Sequence, residues 1–333
     1  MVTINNRENI FGYAYSGTNK GLKGNYALWD QNLAMAWVKS NIKNFGGDRE
    51  NIAIFGAGGG AIEVAAHLLS PQARGLFARA IIEGKGVEAL GSDANARVEL
   101  STNIVLERVG CKKAKNVPAC LRNVAPEDLI SAMPRRPSAF RSVFQSEYLP
   151  LAPKDAVTNS GFNDVDVLLG FEYDTGSISL AKLAPQIFTH RQLTFDDAKE
   201  VIGIFFEKEA TDSVAQKYIG DVTMSPSTQK IQRGLIDLVT DLLSACPIFD
   251  LAKRLALKQR HGKTSTFIFN HRPQSTSRPI CDIDPELGIC AGSSGPIIFG
   301  LPFSPRFYFS FSDEDRTMSQ TMIDVLAGFA RNG

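Results

Sequence analysis

Gly56, Gly58 and Ala61 lie in the stretch NIAIFGAGGGAIEVAAHLL and satisfy the spacing GxGxxG/A. Between a strand and a helix, this spacing lets backbone N–H groups approach a dinucleotide pyrophosphate at the positive end of the helix. Glu83 closes the next apolar run, at about the 20-residue distance expected of a ribose-binding acid. The same strand, turn and helix could instead present a nucleophile at a strained corner, as a GxSxG elbow does, yet Gly56 to Gly60 contain no serine. The four histidines, His67, His190, His261 and His271, are scattered and no CxxC occurs, so no zinc site or other metal is expected. Five cysteines are present. Cys111 with Cys120 and Cys281 with Cys290 would each close a short loop, buried free thiols being the alternative, and Cys246 is left over. An odd cysteine points to a mate outside this chain or beyond its ends.

The elements that must position these residues follow from periodicity. Val2 to Asn5 reads as a strand. GNYALWDQNLAMAWVKSNIKNFGG reads as a helix with Leu28, Met35, Val38 and Ile42 on one face and Gly46-Gly47 as its stop. Ile52 to Phe55 is then a strand, Ala61 to Leu69 a helix, Ser70-Pro71 a break and Ala80 to Ile82 a strand, an alternation that predicts a parallel α/β architecture. Helices dominate beyond residue 90. Thr194 with Asp197 predicts a capped helix running through Phe206. Ile231, Leu235, Leu238 and Leu242 form a buried stripe on a helix that Pro247 interrupts. Val165 to Gly170 and Ser265 to Phe269 are later strands, and Met318, Met322, Val325 and Phe329 line a last amphipathic helix. No repeat or linker divides the chain, so residues 1–333 read as one domain.

With 333 residues and 44% hydrophobic content, the chain can bury a large core. Its 36 basic and 35 acidic residues give a net charge of +1, which favours neither nucleic acid nor an anionic membrane as partner. No run is long and apolar enough for a transmembrane helix, and the N-terminus lacks the layout of a secretory signal.

The flanks of the glycine turn decide between its two uses. GNYALWDQNLAMAWVKSNIKNFGGDRENIAIFG, followed by AIEVAAHLLSPQARGLFARAII, resembles the segment around the active-site serine in the carboxylesterase/cholinesterase family. The likeness continues through LLGFEYDTGS, CPIFDLAKRLA, FIFNHRP and IIFGLPFSP, and so covers essentially the whole chain. It implies an α/β-hydrolase fold, a mostly parallel sheet flanked by helices, here without the family's N-terminal part and C-terminal end. It also implies that the family's serine, acid and histidine positions are occupied by Gly58, Thr175 and Ala291. A serine esterase needs a nucleophile, a base and a carboxylate to orient that base. Replacing all three leaves no route for acyl transfer by that mechanism.

Of the oxyanion donors that the resemblance implies, Gly59 N–H remains. Asp174 could stand in for the acid, but reads first as a turn residue. His67 and His271 match structural histidines of the family, His190 and His261 read as solvated, and Ser293 and Ser294 as loop residues. Cys111 and Cys120 match a loop disulfide of cholinesterases, and Cys246 a cysteine that pairs near the C-terminus. Cys281 and Cys290 have no family counterpart. The expected function is that of a non-catalytic, cholinesterase-like binding protein resembling neuroligins, neurotactin or glutactin. It would be extracellular or at the cell surface, with a protein partner, no cofactor, and homodimerisation and membrane anchorage left open. The alternatives are an ester hydrolase with a relocated nucleophile, a dinucleotide-binding protein, or a chain too short to fold alone.

Overall fold

Four strands, β1 (Ala53–Ala57), β2 (Arg79–Glu83), β3 (Asp166–Glu172) and β4 (Thr264–Phe269), form one sheet in the order β1-β2-β3-β4. Every residue of β2 and β3 after the first is buried, the pattern of parallel strands covered on both faces. Val167 N donates to Lys263 O at 2.8 Å and Tyr173 N to Phe269 O at 3.0 Å, a constant offset that keeps β3 and β4 parallel and in register. The molecule is known from a computed structural model that describes residues 1–333 apart from 18–20, 85–92, 136–138, 190–191, 222–225, 276–280 and 282–284. The chain divides into two compact units.

Unit 1 comprises Met1–Ile82, Val87–Val167 and Lys253–Thr264. It contains the helices α1 (Asn9–Tyr13), α2 (Tyr26–Asn41), α3 (Gly59–Leu69), α4 (Ala94–Arg108), α5 (Val117–Arg122), α6 (Pro126–Ser131) and α7 (Pro153–Thr158). Its core packs Ile10, Tyr13, Val98, Val105, Phe140 and Val143 together with the Cys111–Cys120 disulfide. Leu28 and Met35 of α2 are buried, and the helix passes through a 3₁₀ turn to a stop at Gly46, whose φ of 78° only glycine adopts at little cost. Val2 to Asn5 do not form the strand expected of them. A strand is stable only where a neighbour completes its hydrogen-bond ladder, and these residues pair with none of the described strands.

Unit 2 comprises Glu83–Gly86, Leu168–Ala252 and Ser265–Gly333. It contains α8 (Ser177–Leu183), α9 (Gln186–Thr189), α10 (Phe195–Ile202), α11 (Lys208–Ile219), α12 (Thr228–Thr240), the start of α13 (Cys246–Lys258), α14 (Ser294–Ile298) and α15 (Asp313–Asn332). Thr194 and Asp197 form the expected reciprocal capping box, but α10 stops at Ile202, ahead of Gly203. Ile231, Leu235 and Leu238 of α12 are buried against residues of α10 and α11. Pro247 does not end that helical run. A π turn over Asp241–Ala245 directly ahead widens the backbone and gives the proline ring room, so Pro247 sits within the first turn of α13. In α15 Met322 is buried, whereas Val325 is 47% exposed and the inward face carries Asp315 and Ser319. Cys281 and Cys290 are bonded and sit in a small core with Ile178 and Leu287. No helix among the described residues is long and apolar enough to cross a membrane.

Candidate functional site

The glycine turn belongs to unit 1. Gly56 ends the straight part of β1, and a Cβ there would lie 2.2 Å from Gly60 O and 2.9 Å from Ala61 N, so the first turn of α3 can fold back onto the strand only over a glycine. Gly58 occupies the corner with φ 58° and ψ −109°, a conformation that strains any residue with a Cβ. Among the described residues, no atom outside the turn crowds Gly58, Gly59 or Gly60 within 4 Å of the position a Cβ would take. Gly59 begins α3, so its N–H is among the donors a helix leaves without an internal partner. The corner therefore has the backbone of a nucleophile elbow and no side chain to present.

Behind it, α3 is held by a chain of buried polar groups, all within unit 1. Tyr148 Oη accepts from Asn32 at 3.1 Å and donates to His67 Nδ1 at 2.7 Å, while His67 Nε2 donates to Gln31 Oε1 at 2.7 Å. Gln31 Nε2 then donates to Glu63 at 2.7 Å and to Asn6 at 3.1 Å, and Tyr13 donates its hydroxyl to the other Glu63 oxygen. These partners fix the His67 tautomer. Burial pushes His67 down to about 3, so its ring is neutral and structural, and burial likewise pushes Tyr148 up to about 12. Asn163 ties the end of α3 by donating to the carbonyls of His67, Leu68 and Ser70.

Thr175 and Ala291 belong to unit 2. The Thr175 hydroxyl donates to Glu172 O at 2.5 Å, which turns it back toward its own strand end. Asp174 is 3% exposed, accepts from Ile289 N at 2.8 Å and pairs with Arg233 at 2.5 Å. It is thus a clamp on the turn that carries Ala291. Gly288 is required there, because its φ is 61° and a Cβ would fall 2.1 Å from Asp174 Oδ2. Glu172, which the spacing of motifs does not single out, holds the other end of the same turn: its Oε1 accepts from Gly292 N and from the Ser294 hydroxyl, both at 2.8 Å. Ser294 is consequently a buried first residue of α14 and not a loop residue. Ser293 is buried as well, with its hydroxyl 4.0 Å from Cys290 Sγ. Thr175 and the turn bearing Ala291 are brought together through Glu172 and Asp174.

His271 Nε2 meets Asp315 Oδ1 at 2.6 Å. Burial opposes ionisation of Asp315, but hydrogen bonds from Ser312, His271 and Gln274 outweigh it and keep this carboxyl low. His261 is exposed, and its backbone N–H caps Asp164. His190 lies outside the described residues. Glu83, the candidate ribose acid, is buried beside Glu172 and Ser294 and is not presented to a ligand. Cys246 is an exposed free thiol, and partial burial together with Asp241 raises its pKa. Among the described residues, no cluster of three or more His, Cys, Asp or Glu could hold a metal.

The carboxylesterase family model matches residues 1–333. The chain is 28% identical over 349 residues to acetylcholinesterase of Bungarus fasciatus, covering 100% of this chain and 56% of that protein. It is 28% identical over 347 residues to bile salt-activated lipase of Bos taurus, covering 100% and 57%, and 27% identical over 341 residues to the pyrethroid hydrolase Ces2e of Rattus norvegicus, covering 100% and 58%. The chain therefore spans a little over half the length of these relatives. A strand-turn-helix corner, a buried parallel sheet and a family match over every residue lead to one conclusion: the chain belongs to the carboxylesterase family and has its α/β-hydrolase fold.

Proposed function

We propose that this chain is a catalytically silent, cholinesterase-like member of the family, which uses the hydrolase scaffold to bind a protein partner outside the cell. The observation that carries the reading is the set of residues at the positions that the resemblance assigns to the reacting groups: Gly58, Thr175 and Ala291 supply no nucleophile, no orienting carboxylate and no base. Their surroundings support it. The elbow corner is relaxed by glycine, and the Thr175 hydroxyl is engaged by its own strand end. Asp174, the available stand-in acid, is occupied by Arg233 and Ile289 N. Two disulfides support an oxidising, extracellular setting. A binding role is supported in unit 2 by a run of exposed aromatic side chains, Phe299, Phe303, Phe307, Tyr308 and Phe309, the last 94% exposed.

The test is hydrolysis of choline and naphthyl esters by the purified protein, with and without an organophosphate. The reading expects a rate indistinguishable from buffer in both arms. Turnover that the organophosphate abolishes would refute it and favour a relocated serine.

A further inference from the structure

Unit 2 buries two carboxyl side chains against one another, Glu83 at the end of β2 and Glu172 at the end of β3, at 2% and 3% exposure. Their surroundings are unequal. Glu172 Oε1 accepts two hydrogen bonds, from Gly292 N and Ser294 Oγ, and the Thr175 hydroxyl lies 3.4 Å from Oε2. Glu83 Oε1 has no hydrogen-bond partner among the described residues, and the Ser294 hydroxyl that reaches Glu83 is shared with Glu172. Among the described residues, the charged group acting on Glu83 is Glu172, from β3. The turn before α14 and the helix start bring Gly292, Ser293 and Ser294, none of them titratable, and the Ser244 hydroxyl donates to Gly84 O at 2.7 Å. Of the two cations on α12, Lys230 and Arg233, the latter is paired with Asp174 and Asp237. Among the described residues no cation lies between them, and two ionised carboxylates so placed repel strongly in a low-dielectric interior. One proton removes that repulsion and gives Glu83 a donor where the bare carboxylate has only acceptors.

We propose that Glu83 and Glu172 form a one-proton pair, protonated on Glu83 at neutral pH, and that loss of this proton is an alkaline switch that loosens the turn over residues 288–294 from the end of β3. Burial first, and the Glu172 charge second, push Glu83 up to about 8, while the Ser294 hydrogen bond acts in the opposite direction. Between the unfolded value of about 4.5 and the folded value of about 8, only the folded chain holds the proton. Stability therefore falls as pH rises across this window and is level above it. The switch acts on the turn because Glu172 grips Gly292 and Ser294 while Asp174, two residues on, grips Ile289. It does not depend on whether the chain hydrolyses esters.

The experiment compares the full chain with its Glu83→Gln variant. Infrared spectroscopy should show a protonated-carboxyl band in the wild type that falls to about half near pH 8 and to about a tenth one unit higher, and that is missing from Glu83→Gln. Urea midpoints should decline between about pH 6.5 and about pH 8 in the wild type and stay level over that window in the variant. At matched pH above about 8, amides of residues 292–299 should exchange faster in the wild type than in Glu83→Gln. A folded wild type without the band at about pH 6, or the same decline of midpoint with pH in both proteins, overturns the proposal. If Glu83→Gln does not fold, the wild-type band decides alone: its titration near 8 supports the pair, and its absence contradicts it.

Discussion

At the residue scale, the glycine turn separates what geometry demands from what it only permits. Gly56→Ala would drive a Cβ into the backbone of Gly60 and should destabilise the protein by about 3 kcal/mol or more. Gly60→Ala, inside α3 with open space around it, should instead be neutral or stabilise by about 0.5–1 kcal/mol. Urea midpoints of the two variants check this contrast. Gly58→Ser has room but must adopt a positive φ, at a cost of about 1–3 kcal/mol. It should yield no esterase turnover, because Thr175 and Ala291 still offer no acid and no base. The Tyr148→Phe variant should cost about 1–3 kcal/mol, since it leaves the buried His67 Nδ1 acceptor without its donor. His67 also gives an acid limb to stability. Its folded value is depressed to about 3, so between about 6.5 and about 3 the unfolded chain binds the extra proton, and stability falls as pH drops through that window. Denaturation midpoints of the Glu83→Gln variant, which lacks the opposing carboxyl, should show the decline from neutral to acid pH, and a level profile there would contradict the burial of a neutral imidazole.

At the element scale, the parts that were legible are those fixed by local chemistry. The β-branched runs became β1, β2, β3 and β4, the spacing of Ile231, Leu235 and Leu238 gave the buried stripe of α12, and Thr194 with Asp197 gave a working capping box. Thr194→Ala should cost about 1 kcal/mol, readable as a small shift in thermal midpoint, because Asp197 N loses its acceptor. What escaped reading depends on partners remote in the chain. Val2 to Asn5 have strand composition but pair with none of the described strands. Pro247 looks like a breaker until a π turn supplies the space its ring needs. The stripe of α15 was legible in part: Met318 and Met322 reach the core, but Val325 does not, and Asp315 and Ser319 are buried for polar reasons, Asp315 receiving His271 and Ser319 donating to Ile297 O at 2.6 Å, contacts that hydrophobic periodicity does not register. Glu172 escaped for the same reason. A lone acid at a strand end carries no motif, although a carboxyl directly after a buried apolar run is a signal that it has to be satisfied there.

At the scale of the whole molecule, both cysteine pairs suggested by their short spacing are bonded, one in each unit. Each closes a loop of sequence separation 9, so chain entropy gives each roughly 2–3 kcal/mol. Reductant should lower the thermal midpoint, and a mass map of the untreated protein should show Cys246 alone open to alkylation. The family was legible because a motif run of more than fifty residues around the turn, and several later ones, keep their register. The grip of Glu172 and Asp174 on the turn bearing Ala291 was not legible, since it joins segments more than a hundred residues apart. The proposed catalytic silence is decided by intact mass after exposure of the folded protein to a fluorophosphonate, which labels any serine activated by a neighbouring base. An unchanged mass is expected; a stoichiometric adduct on one serine would show that the chain still activates a nucleophile.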